Sequence, residues 1–267
     1  MQMNLVPPQA NDAPRPSHAF GLFILIALAL VISAFALPVA PEKWTLLLLS
    51  PLTILLPTFA LAWPHGLRGS LGWKPLPLSL LPTLTAVAAS AALLMIPATD
   101  VASMFIDIPE ETLKALQEMT VFSDWPGAVL ILAALALLPG VCEELAFRGF
   151  IQGILVRHSG ISGGILVTSV LFALVHFMPW FLPFYALLGI VFGLAARWSG
   201  SVAGSIVVHV IYNALVIGCN NIGVHSGWIV TGEPVLSLPA AAAGTAGGTV
   251  LLAWSLARLR AQSVDNR

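Results

Sequence analysis

Along most of this chain, apolar residues gather into runs separated by short polar or proline-bearing joints. The runs lie near residues 19–39, 44–63, 77–97, 126–145, 162–178, 181–197, 202–220 and 238–257. Helical stretches of about 17–25 apolar residues cross a hydrocarbon core, so the pattern predicts an all-α polytopic bundle of about eight transmembrane helices. Only Met178, Pro179 and Trp180 separate the fifth run from the sixth, which predicts a tight helical hairpin. The segment from Asp100 to Asp124 is different. It is rich in carboxylates, and Ile108, Leu113, Leu116 and Met119 recur at roughly helical spacing. An amphipathic helix lying on the membrane fits this spacing, and an irregular acidic loop is the alternative.

Composition agrees with a membrane solvent. Hydrophobic residues make up 58% of the 267 and charged ones 9%, with a mean hydropathy of +0.94. A net charge of −1 provides no footprint for nucleic acid. The leader before residue 19 is polar and proline-bearing, and the first run continues into further spans, so it is read as a cytoplasmic tail (1–18) rather than a cleaved signal. Residues 19–257 form the transmembrane domain, and 258–267 a second tail. Placing both termini in the cytoplasm puts Arg15, Arg68, Lys74, Arg157, Arg197, Arg258, Arg260 and Arg267 inside, leaving Lys43 and Lys114 outside. Cys142 and Cys219 are read as small structural hydrophobes.

Against so apolar a background, Glu143, Glu144 and Arg148 stand out at the end of the fourth run. An ionisable group at mid-bilayer costs about 2.5–3.5 kcal/mol on insertion scales, so such groups mark function. Glu144 and Arg148 are four apart, share a helical face and can pair. Glu143 is rotated away from that face and is left over. A carboxylate without an ion partner can act as a general base or a metal ligand, while an anchoring salt bridge among all three charges is the plainer alternative.

Two histidines lie within later runs. His209 is followed four residues on by Asn213, so imidazole and carboxamide share one face; His176 lies in the fifth run. Glu143, His176, His209 and Asn213 come from three separate segments and can converge on one polar intramembrane cavity. A glutamate and a histidine there could deprotonate and hold a water, while a second histidine and an asparagine donate to an oxyanion, which is amide hydrolysis. The set Glu143, His176 and His209 could equally hold zinc with a water in the open position. The soluble-protease pattern H-E-x-x-H is absent. His18, His65, His158 and His225 are read as interfacial.

Taken in order, Glu143-Glu144 to Arg148 (E-E-x-x-x-R), Phe172 to His176 (F-x-x-x-H) and His209 to Asn213 (H-x-x-x-N) resemble the CPBP intramembrane proteases, also called CAAX prenyl protease 2-like or Abi proteins. The resemblance covers roughly residues 126–220. It implies an eight-helix bundle with a cavity open toward the cytoplasm, water activated by Glu143 and His176, an oxyanion held by His209 and Asn213, and Glu144 and Arg148 in support. It also implies a membrane-associated or lipidated peptide substrate, in a bacterial cytoplasmic membrane. The family is often labelled metalloprotease, and a metal-free glutamate mechanism is also proposed for it; the expectation here leans to no tightly bound zinc. Two other classes explain buried Glu and His: a non-catalytic membrane immunity or scaffolding protein, and a transporter, which the missing internal repeat disfavours.

Overall fold

The computed structural model describes residues 13–36, 43–227 and 236–265, and every regular element among them is helical. The principal helices are α1 (Pro16–Ala36), α2 (Lys43–Ala62), α3 (Leu81–Ser103), α4 (Glu110–Thr120), a composite α5 (Trp125–Leu174), α6 (Leu182–Ser199), α7 (Val202–His225) and α8 (Leu238–Asp265). The all-α polytopic fold is therefore as expected. Six described stretches are long and apolar enough to cross a bilayer: 16–33, 78–103, 125–174, 179–199, 202–225 and 238–263. A count of eight is not established by this measure, because two expected spans, 126–145 and 162–178, lie on α5, and the helix at 43–62 is outside the set.

At about 1.5 Å per residue, the 50 residues of α5 would reach about 75 Å if straight, more than twice a hydrocarbon core. Gly160 breaks the run. Its φ of 74° and ψ of 173° lie in a region open essentially to glycine. The chain turns so sharply there that a Cβ on Gly164 would stand 2.5 Å from the backbone nitrogen of Val156. A Cβ on Gly160 itself would meet nothing within 4 Å, so Gly160→Ala should cost only the backbone strain, about 1–3 kcal/mol. Thermal unfolding in detergent would read this as a lowered midpoint, with Gly153→Ala as the neutral control.

The hairpin expected around residue 179 is present. α5 ends at Leu174, a single turn of 3₁₀ helix spans Pro179–Phe181, and α6 packs back on the second part of α5. Beyond it, α7 packs on α6 and α3, and α8 lies along α3. Exposed Leu and Ile side chains on α1, α5 and α8 face outward, where a lipid solvent would receive them. Between α3 and α5 the helical reading of the acidic segment holds. α4 is tied to the end of α7 by Asn220, whose Nδ2 donates to Thr120 Oγ1 (2.9 Å), and by Asn221, whose Nδ2 donates to the Thr120 carbonyl (3.0 Å). Its exposed Lys114–Glu110 pair (2.7 Å) holds the Glu110 carboxyl below, and the Lys114 ammonium above, their usual ranges.

Candidate active site

Two wide turns of π-helix interrupt α5, at Ala133–Leu137 and Leu145–Ile151, and they bracket the acidic pair. Such turns occur often at functional sites because they re-aim side chains and release carbonyls. In the first of them the cause is legible. Pro139 has no N–H to offer the Leu135 carbonyl four residues earlier. Asn213 Nδ2 on α7 donates to that carbonyl instead, at 3.0 Å. This bond fixes Asn213 and leaves it one further N–H.

Glu144 and Arg148 pair as their spacing predicts, Nη1 to Oε1 at 2.7 Å, with both side chains fully buried. Glu144 has a second partner that the spacing did not suggest. His209 Nδ1 donates to the same Oε1 at 2.8 Å. Arg148 also donates from Nη2 to the Gly189 carbonyl on α6 (3.2 Å), and its guanidinium lies 4.2 Å from the centre of the Phe172 ring. This contact needs glycine, since a Cβ on Gly189 would sit 2.7 Å from Ser169 Cβ. Glu144 therefore joins α5 to α7, and Arg148 joins α5 to α6.

Glu143 takes no part in that network. Its Oε2 is buried without a hydrogen-bond partner, as are Glu144 Oε2, Arg148 Nε and Gln152 Oε1. Glu143 lies within electrostatic reach of His176, Tyr185, Cys142 and Arg148. The reading of all three charges as one anchoring salt bridge does not hold.

His176 stands just beyond the end of α5. Its Nδ1 donates to the Phe172 carbonyl (2.8 Å), which leaves the ring lone pair on Nε2. The ring stacks on Tyr185, centroids 3.9 Å apart at 21°, and meets Phe172 edge-on at 4.8 Å. Its neighbour Phe177 has a φ of 52°, a left-handed conformation that a bulky side chain seldom adopts. Strain of this kind clusters at functional sites. His209 stacks in turn on Phe192 at 4.5 Å, and Phe172 lies 6.1 Å from it, between the two histidines.

Residues 125–215 match the family model described as type II CAAX prenyl endopeptidase Rce1-like. This segment is similar to the Rce1-like family. No curated protein and no solved structure matches the chain. The Rce1-like segment contains all six expected polar residues, and its limits nearly coincide with the 126–220 read from the motifs. It also contains Tyr185 and Tyr212, the only tyrosines in the chain, which were not singled out from sequence. That scarcity was the available signal.

The remaining histidines stay apart from this site. His18 and His65 meet edge-on at 5.4 Å, His158 bonds the Ile154 carbonyl, and His225 bonds the Phe122 carbonyl. Among the described residues, no three His, Cys, Asp or Glu side chains come together as a metal-holding group. In the expected zinc set of Glu143, His176 and His209, His209 Nδ1 is engaged by Glu144 and His176 Nδ1 by a carbonyl, so Nε2 of each ring is the nitrogen that could bind a ligand.

Proposed function

We propose that this chain is an intramembrane endopeptidase that hydrolyses a peptide bond in a membrane-associated substrate, with Glu143 as general base. The supporting observation is the carboxylate oxygen of Glu143, buried without a partner and within electrostatic reach of His176. A water between Glu143 and His176 Nε2 gives its proton to Glu143 as its oxygen adds to the scissile carbonyl carbon. The carbonyl π electrons become an oxyanion. Asn213 donates its remaining carboxamide N–H to it, and His209 donates from Nε2 in its doubly protonated form, which the Glu144 carboxylate on Nδ1 offsets. Collapse of the intermediate expels the amine, which takes the proton from Glu143. Glu144 and Arg148 position His209 and the α5–α6 contact and touch no reacting atom.

The substrate is a peptide at the membrane surface. Its C-terminal prenyl group is what the family description suggests. The termini face the cytoplasm on the basis of the Arg and Lys distribution.

His176→Ala should abolish cleavage of a farnesylated peptide by the purified protein, while His158→Ala, whose ring bonds a carbonyl elsewhere on α5, should leave it unchanged. Equal turnover by wild type and His176→Ala, with both folded, would rule out the proposed water site.

A further inference from the structure

At the end of the bundle that carries Arg68, Lys74, Arg157, Arg197, Arg258 and Arg260 there is a cavity of about 680 Å³. Four cationic residues line it: Lys74 after α2, Arg157 on α5, Arg197 on α6 and the buried, Glu144-paired Arg148 on α5. No carboxylate lines it among the described residues, and Lys74, Arg157 and Arg197, unlike Arg148, are in no ion pair among them. Its wall also carries the hydroxyl-bearing residues Ser70, Ser199 and Ser201. Like charges crowded around a concavity repel one another at a cost, and an anion removes that cost.

A second, open depression of about 440 Å³ shares Trp198 with it. This one is an apolar groove between α6 and α8. Ala253, Ala257 and Ala261 recur every fourth residue along α8, and their small side chains leave the groove open. Arg260 stands beside it. A cationic hollow beside an open apolar groove, with a tryptophan bordering both, has the polarity of a phospholipid read from head to tail. A free phosphate would need only the first part.

We infer that these two depressions together bind one anionic glycerophospholipid, its phosphate among Lys74, Arg157 and Arg197 and an acyl chain along the α6–α8 groove. The cationic hollow is floored by Arg148 and Gln152, so the lipid abuts the part of α5 that carries Glu144. The site does not depend on the proteolytic reading, and its test measures no cleavage.

The full chain in dodecyl maltoside would be titrated with dioleoyl phosphatidylglycerol, dioleoyl phosphatidylcholine or inorganic phosphate, with thermal unfolding and native mass spectrometry as readouts. Phosphatidylglycerol should raise the unfolding midpoint and remain as one bound copy, and phosphatidylcholine should do neither. Combined Lys74→Gln, Arg157→Gln and Arg197→Gln should weaken the lipid by about tenfold or more. Each single substitution gives a smaller loss of the same sign if the triple does not fold. Ala257→Phe should block the groove and weaken the lipid. Arg68→Gln, on the same end but outside the cavity lining, should bind as wild type does. Equal responses to the two lipids would overturn the inference, as would a loss with Arg68→Gln as large as with the triple. A response to inorganic phosphate matching that to phosphatidylglycerol, insensitive to Ala257→Phe, would mean that the hollow takes a phosphate alone, and the lipid assignment would fall.

Discussion

Glu143→Gln should lower kcat on a cleaved peptide by about 10²–10⁴-fold while leaving the protein folded. Each decade corresponds to about 1.4 kcal/mol of transition-state stabilisation, so the expected loss is about 3–5 kcal/mol. The substitution keeps the shape of the side chain and removes only its capacity to take a proton. Folding should survive it because Glu143, unlike its neighbour, forms no ion pair and leaves Oε2 without a partner. KM should change little, since the carboxylate acts on water rather than on the ground-state substrate. The check is steady-state turnover beside a thermal unfolding curve. Unchanged kcat in a folded Glu143→Gln protein would remove Glu143 from the mechanism, whatever becomes of His176.

Why was Glu143 legible from sequence when much of its setting was not? The i,i+4 relation of Glu144 and Arg148 is a local property of helix geometry, and their pairing left the adjacent carboxylate over by rotation alone. The helical spans and the hairpin after His176 were legible for a related reason. Hydrophobic run length and proline placement act within a few residues, and the bilayer makes them strong signals. The fusion of two expected spans into one run broken at Gly160 was less legible, because run length says where a segment is apolar and not whether the helix restarts. The second bond of Glu144 could not be read at all. His209 is 65 residues away, and only the packing of α7 against α5 brings Nδ1 to Oε1. The engagement of Asn213 with Leu135 is a middle case. Pro139 announces an unpaired carbonyl, but not which distant side chain will fill it.

The second large effect follows from that hidden bond. Glu144→Gln should destabilise the fold by about 3–5 kcal/mol, because it leaves a buried guanidinium uncompensated. Arg148 has no exposed side-chain surface and lies over Phe172 and Phe192, where water cannot replace the lost carboxylate. Its remaining bond, to the Gly189 carbonyl, does not neutralise it. Adding Arg148→Met removes the stranded charge and should recover most of the lost stability, since an apolar side chain of similar length suits that aromatic surround. Activity should not return with it, because His209 still lacks the carboxylate on its Nδ1. Thermal unfolding and peptide turnover, measured on wild type, both singles and the double, separate the two roles of Glu144. If Glu144→Gln alone were as stable as wild type, the buried pair would not hold the fold. If the stable double variant cleaved at the wild-type rate, Glu144 would not position His209.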